Sequence, residues 1–237
     1  MMPIGQLILI PAPLGEGGEN VMPAYVLAEI HQLRFLIAER AKTARAYLKS
    51  VSYPIPFSEL EIFELNKRTP IEELPQMLEP IRQGHNIGLL SEAGCPGVAD
   101  PGAVIVELAH REGITIAPLV GPSSILLALM GSGMNGQRFC FHGYLSPKKP
   151  ELSRQLKKLE QESGQLDQTQ LFIETPYRNQ SFMETALQSL QGKTRLGIAA
   201  DLTLPTEYIR TLTVQQWKKS GWPNLHKRPA IFLIYAR

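Results

Sequence analysis

Four acidic residues of this chain stand just past short apolar runs: Glu39 after Phe35–Ala38, Glu92 after Ile87–Leu90, Glu174 after 170–173 and Asp201 after 196–200. A carboxylate so placed can take a proton from a hydroxyl, or it can cap a helix or close an ion pair. Glu92 belongs to the stretch Ser91-Glu92-Ala93-Gly94-Cys95-Pro96-Gly97-Val98-Ala99-Asp100-Pro101-Gly102, which holds three glycines and two prolines. Glycines let backbone groups approach a ligand closely, and prolines fix φ and remove donors. Such a loop reads a ligand with its backbone, helped by Ser91, Glu92 and Asp100. About ten residues is long for a strand-to-helix connection, where two to six are usual, and the excess length marks a functional loop. Arg178 can bind phosphate bidentately or pair with Glu174. Arg40, Lys42, Arg45 and Lys49 form the densest basic segment, either a solvated helix face or a phosphate-binding one. His142, among aromatics in a strand, reads as a satisfied core histidine.

The elements that hold these residues follow from patterning. Residues 7–10, 35–38 and 87–90 are apolar without alternation, which suits buried parallel strands. Pro11-Ala12-Pro13 ends the first of them, and a helix begins near Pro23, where proline is tolerated in the first turn. Residues 61–65 are a weak strand. Thr69 as cap, Pro70 at the first position and Glu72 in the capping box predict a helix to about Gln83. A helix over 103–111, a strand over 115–118 and a hinge at 119–122 follow. Ser123 and Ser124 then cap an apolar helix over 125–130, and backbone amides there are free to face a ligand. Beyond 131–136 the pattern changes. Strands at 139–145, 170–173, 196–201, 208–212 and 230–235, the last interior, are separated by helices only at 151–161 and 179–190. The expectation is an α/β chain of two domains. Residues 1–119 carry a mostly parallel sheet and the Gly/Pro loop, and residues 120–237 carry a mixed sheet.

The composition narrows the function. A hydrophobic fraction of 43% and a charged fraction of 19% describe a globular chain. A net charge of +2 leaves nucleic-acid binding to a local basic patch. Cys95 and Cys140 lie far apart without metal-ligand spacing, so neither a metal site nor a disulfide framework is expected, and a cytoplasmic protein is. No apolar run is long enough to cross a membrane, and the N-terminus has no leader pattern. Gly15-x-Gly17-Gly18 lacks the third glycine of a dinucleotide fingerprint, and Gly192-Lys193-Thr194 lacks the earlier glycine of a P-loop.

Residues 91–102 resemble the Ser-Asp-Ala-Gly-Thr-Pro-x-x-Ser-Asp-Pro-Gly signature of the tetrapyrrole methylase superfamily of S-adenosylmethionine (SAM) methyltransferases. Within it the match is to the branch that 2′-O-methylates a cytidine of small-subunit ribosomal RNA. Six further segments match in order. Pro11-Ala12-Pro13-Leu14-Gly15 is similar to Thr-Pro-Ile-Gly-Asn, and Ile37-Ala38-Glu39 with Arg45 and Leu48 to Ala-Glu-Asp-Thr-Arg-x-x-x-x-Leu. Residues 118–124 are similar to Pro-Leu-Pro-Gly-Pro-x-Ala, and residues 138–145 to Arg-Phe-x-Phe-x-Gly-Phe-Leu. Glu174-Thr175-Pro176-Tyr177-Arg178 is similar to Glu-Ser-Pro-His-Arg, and Asp201-Leu202-Thr203 to Glu-Leu-Thr.

The resemblance implies two α/β domains with SAM in the cleft between them, S-adenosylhomocysteine as product, and a homodimer. It implies cofactor contacts, largely through backbone, at Pro11, Ala93, Gly94, Val98, Asp100, Ser123, Ser124, Leu145 and Ala200, with Pro229 and Ala230 near the adenine. Ser91 joins them from the loop. Arg45 and Arg178 are the candidate substrate-binding residues, and Glu39, Glu92 and Glu174 the candidate proton acceptors, ahead of Asp201. The acceptor side departs from the branch. Its Glu-Asp-Thr-Arg is Glu39-Arg40-Ala41-Lys42 here, and its Tyr-His-Glu-His-Asn is Ile62-Phe63-Glu64-Leu65-Asn66. The loop aspartate is Glu92, the histidine before Arg178 is Tyr177, and the C-terminal extension common in the ribosomal enzymes is missing. The expected activity is methylation of ribosomal RNA, with the small ribosomal subunit as partner. The lost histidines and weak basicity favour a tetrapyrrole or another small molecule as the alternative acceptor. A SAM-binding module without turnover is a third reading.

Overall fold

The unalternating apolar runs are strands whose two faces are both covered. The computed structural model describes residues 5–237 and divides them into two units, the first ending at Ser123 and the second running from Ser124 to Arg237. The sequence placed this boundary after Leu119. In unit 1, β1 (Leu7–Ile10), β2 (Phe35–Ala38), β3 (Glu61–Glu64), β4 (Ile87–Leu90) and β5 (Ile116–Pro118) form one sheet in the order β3-β2-β4-β1-β5. Every pairing in it is parallel. Side chains alternate between two cores. Ile8, Ile10, Leu36 and Leu90 pack with α1 (Ala24–Ile30) and α2 (Ala41–Ser50). Leu7, Ile37, Ile87 and Leu89 pack with α3 (Leu74–Met77), α4 (Glu79–Arg82) and α5 (Ala103–Arg111). A Cβ at Gly88 would run into the side chains of Ile10, Leu36 and Leu33, so this central strand needs glycine to seat the α1 side.

The helix expected over 69–83 is not continuous. It is a 3₁₀ turn, Ile71–Glu73, followed by α3 and α4, with Pro75 and Pro80 in the first turns of the two short helices. Proline has no N–H for the i−4 carbonyl and crowds the preceding turn, so each one restarts the helix. Thr69 does not cap it. Its Oγ1 donates to the Glu64 carbonyl and accepts from the Asn66 N–H.

Unit 2 holds α6 (Ser124–Ser132), β6 (Phe139–Tyr144), α7 (Lys149–Leu166), β7 (Thr169–Glu174), α8 (Asn179–Ser189), β8 (Arg195–Ala200), β9 (Tyr208–Thr213), α9 (Val214–Ser220) and β10 (Ala230–Tyr235). Its sheet, ordered β6-β7-β10-β8-β9, is mixed: β6 and β7 run parallel, and the remaining pairs antiparallel. β10 is interior, as its unbroken apolar sequence requires. The core is built on Phe172, Phe182, Phe232 and Trp217, and the Trp217 indole N–H donates to the Leu196 carbonyl at 2.8 Å. α7 extends beyond the expected 151–161, because Leu152, Leu156, Leu159 and Ser163 continue one buried stripe. α9 was not anticipated, although Thr213 and Gln216 form a reciprocal capping box at its start.

Candidate functional site

The topology of unit 1 fixes where a ligand should lie. From β1 the chain crosses to β2 on one side of the sheet, and from β4 it crosses to β5 on the other, so the adjacent strands β1 and β4 flank a topological switch point. Open parallel sheets bind ligands at the carboxyl ends of such strands, where the two outgoing loops diverge. The loops here are residues 11–18 and 91–102. They are joined by paired backbone hydrogen bonds, Ala12 N–H to the Gly94 carbonyl at 2.9 Å and Gly94 N–H to the Ala12 carbonyl at 3.0 Å.

The longer loop is organised from within. The Asp100 Oδ1 accepts from the backbone N–H of Gly97 at 2.6 Å and of Gly102 at 2.8 Å. The Ser91 hydroxyl donates to the Ala93 carbonyl at 2.8 Å and accepts from its N–H. The half-buried Cys95 thiol faces the Pro122 carbonyl at 3.6 Å and is pushed up by burial, while a hydrogen bond with Ser123 draws it down. Gly94, Gly97 and Ala99 have φ of 72°, 75° and 60°. The first two are conformations glycine adopts freely. Ala99 is held in the left-handed region at a cost of about 1–2 kcal/mol, strain of the kind that collects at ligand sites. Of the expected cofactor residues, Pro11, Ser91, Ala93, Gly94, Val98, Asp100 and Ser123 therefore belong to unit 1, five of them in this loop.

Two of the candidate carboxylates meet at the same strand ends. Glu92 accepts from the Thr43 hydroxyl at 2.5 Å and pairs with Arg40 at 3.0 Å. Glu39, between β2 and α2, has no side-chain hydrogen bond among the described residues. Partial burial raises its pKa from 4.5, and the negative charges of Glu92 and Asp100 push in the same direction, against Arg40 and Lys67. α2 has no cap of its own at Arg40. Glu64 from the end of β3 accepts from the Ala41 N–H at 2.8 Å instead, a negative charge at the positive end of the helix.

Beside these groups lies a pocket of about 480 Å³, walled by residues 12–15, by the end of β4 and by one face of α2. Its ionisable lining is Glu16, Glu19, Glu92 and Tyr47. Among the described residues the Tyr47 hydroxyl is buried without a hydrogen-bond partner, and burial beside Glu19 pushes its pKa up to about 12. Sequence reasoning missed Tyr47, Thr43 and Glu19. The available signal was the recurrence of residues 43, 46, 47 and 50 on one face of a helix that follows a strand.

The unit 2 residues have different surroundings. Glu174 is buried, accepts from the Thr175 N–H at 2.6 Å and pairs with Arg178 at 2.5 Å. Asp201 pairs with Arg228 at 2.7 Å and accepts from the Thr206 hydroxyl at 2.8 Å. Neither carboxylate is free, and Arg178 is spent on Glu174 and on the Ser146 carbonyl. Leu145, Ala200 and Ala230 place their side chains in the unit 2 core, so only their backbone could meet a ligand. Glu174, Ala230 and Ala200 stand in register on neighbouring strands. Pro229 is exposed, and its carbonyl accepts from the Asp201 N–H. Ser124 opens α6, and Arg45 lies exposed on α2. His142 is half-buried on the edge strand β6, 2.6 Å from Gln170 Oε1.

Comparison with known proteins bears on this arrangement. The chain is 28% identical over 235 residues to a protein of Haemophilus influenzae named ribosomal RNA small subunit methyltransferase I, covering 97% of this chain and 78% of that one. Proteins of the same name from Thermotoga maritima and Synechocystis are 28% and 29% identical over 208 and 213 residues, covering 87% and 90% of this chain and 88% and 72% of theirs. Among solved structures it is similar to the methyltransferase CobJ, with a TM-score of 0.62 and 20% identity over 98% of this chain and 94% of that one. A second is a uroporphyrin-III C-methyltransferase of Thermus thermophilus, with a TM-score of 0.55 and 17% identity over 98% and 92%. The chain shares the fold of these two methyltransferases. No family model matches it. No helix among the described residues is long and apolar enough to cross a membrane, and no group of three or more potential ligands there is placed to hold a metal.

Proposed function

We propose that this chain is a SAM-dependent methyltransferase that modifies RNA of the small ribosomal subunit. The observation that carries the reading is the crevice at the switch point of unit 1, where a strained, glycine-rich loop is fixed from within by Asp100 and stapled to the end of β1. The names of the relatives, matched along most of their length, supply the reaction and the substrate class. The residues present fit SAM. Glu39 is raised first by burial and then by the negative charges of Glu92 and Asp100, and a ligand bearing a sulfonium and an ammonium would offset that second contribution.

When bound, SAM supplies a methyl group already activated at a sulfonium, which leaves the protein to position the acceptor and to take a proton. Glu39 is the residue for the second task. Its carboxylate has no hydrogen bond or ion pair among the described residues, and its raised pKa brings it closer to that of an acceptor that works near neutral pH. Glu92 holds Thr43 and Arg40 in place beside it. Glu174 and Asp201 are not carried forward as bases, since each is already neutralised by an arginine. The loop backbone of unit 1 is the proposed cofactor contact, and Ser124, Leu145, Ala200, Pro229 and Ala230 are proposed for unit 2 on the resemblance alone. A homodimer and a cytoplasmic setting go with the reading.

A tetrapyrrole acceptor is less well supported. Such substrates carry several carboxylates, and the pocket beside Glu39 is lined by Glu16, Glu19 and Glu92. Mass-spectrometric mapping of ribose methylation on small-subunit ribosomal RNA, in strains with and without the gene, tests the proposal. One methyl group should disappear on deletion and return on complementation. It should not return with a Glu39→Gln copy. An unchanged map in a strain without a second such gene would overturn the RNA reading.

A further inference from the structure

Helix α2 carries three stripes with different surroundings. Ala44 and Leu48 are buried in the core of unit 1. Thr43, Ala46, Tyr47 and Ser50 form one wall of the acidic pocket. Lys42, Arg45 and Lys49 are exposed and recur at three- and four-residue spacing, and none of them has an ion pair among the described residues. At about 100° per residue the basic stripe lies between Ala46, the edge of the pocket wall, and Leu48 of the core stripe, with Lys42 nearest the pocket. Its charges span about 10 Å along the helix axis.

We propose that α2 is a ledge for an RNA strand: Lys42, Arg45 and Lys49 hold consecutive phosphates along the rim, and a base enters the pocket against Tyr47. This rests on the RNA methyltransferase reading and adds where on unit 1 the strand lies. The argument is charge complementarity on two neighbouring surfaces. Three unpaired cations attract phosphate. The adjoining pocket, with Glu16, Glu19 and Glu92, repels it and favours an uncharged ring whose edge carries N–H donors. Tyr47 lines the pocket, and its buried hydroxyl has no partner among the described residues, so a ring that uncovers it gives it one. A strand set on these surfaces keeps its backbone outside and turns one nucleoside inward, beside Glu39.

The test is the salt dependence of binding of the whole protein to a transcript of small-subunit ribosomal RNA. The parent and the triple variant Lys42→Ala, Arg45→Ala, Lys49→Ala are compared, with calorimetric SAM binding and the melting temperature as checks of folding. Each phosphate contact contributes about 0.7–0.9 to the slope of log K against log salt, so the variant should lose about 2–3 from the slope. A variant that folds, binds SAM and keeps the parental slope overturns the ledge and leaves the RNA reading standing. A parent without any salt-dependent binding overturns the RNA reading, and the ledge with it. Tyr47→Phe should leave the slope alone and raise KM for the RNA. If it only raises the melting temperature, the hydroxyl has no part in holding the base.

Discussion

Acidic residues follow strands in both units, and the two sets have opposite fates. In unit 2, Glu174 and Asp201 are almost fully covered, with side-chain exposures of 2% and 9%, and each is locked to an arginine from its own unit. In unit 1, Glu92 pairs among the described residues with Arg40, whose side chain is 68% exposed, and Glu39 is raised by burial and by the charges of Glu92 and Asp100 with no ion pair of its own there. Buried charges must be paired, because an unpaired one is costly to keep out of water. Charges at the mouth of a parallel sheet can be left under-compensated until a ligand arrives. An acid after a strand therefore identifies a reactive group only when its neutralising partner is missing, and that is a property of the fold around it.

The largest effect that could break this contrast is catalytic. Glu39→Gln should lower kcat by about 10²–10⁴-fold with SAM affinity retained, the range for removal of a positioned base and worth about 3–5 kcal/mol. In the parent, the rate should climb with pH as Glu39 ionises, above its ordinary value of 4.5, and the variant should lose that limb. A variant as fast as the parent would put Glu39 on the same footing as Glu174. Next in size is Arg178→Ala. Stranding the buried Glu174 should cost about 3–5 kcal/mol in urea unfolding, whereas a loss under about 1 kcal/mol would mean that the pair is no more structural than a surface one.

Asp100→Ala removes the two hydrogen bonds that fix the loop, each worth about 1.5–3 kcal/mol because the acceptor is charged. Part of that loss should reach the ligand as a ten- to hundredfold weaker SAM affinity by calorimetry, about 1.4–2.7 kcal/mol. Arg40→Ala should shift unfolding by less than about 1 kcal/mol, and high salt should hide it. The smallest effect has the most telling sign. Because the folded-state pKa of Glu39 is raised, its contribution to stability is fully present below the ordinary 4.5 and is lost as pH rises through the raised value. Glu39→Gln should therefore melt above the parent at neutral pH and lose that advantage on acidification.

Much of the fold was legible because it depends on local pattern. The runs 35–38, 87–90 and 103–111 are elements with those bounds, and the mixed sheet expected after residue 136 is present, although α7 and α9 put more helix there than the pattern suggests. The prolines at 75 and 80 outweigh the capping signals before them, because each breaks the hydrogen-bond ladder that a cap can only start. The central loop stood out by its glycines and its length. The pairing of Glu174 with Arg178 is one of the two roles the sequence allows Arg178. That of Asp201 with Arg228 is not legible there, since 27 residues separate them and only the fold brings them to 2.7 Å. The pocket face of α2 was illegible for a related reason. A helix pattern marks which face is apolar, but not what lies opposite the others.

β10 has a consequence for the making of the protein. It is the last strand of its sheet in chain order and lies between β7 and β8, carrying Phe232 and Ile234 into the core. While the chain is being synthesised, unit 1 has every strand of its sheet once Pro118 has emerged. Unit 2 has none of its centre until residues 230–235 follow, and in the meantime β7 and β8 each have one unpaired apolar edge. A message truncated before codon 230 would yield a finished first half tethered to an adhesive second half. Chaperones and proteases should meet this chain mainly in that interval.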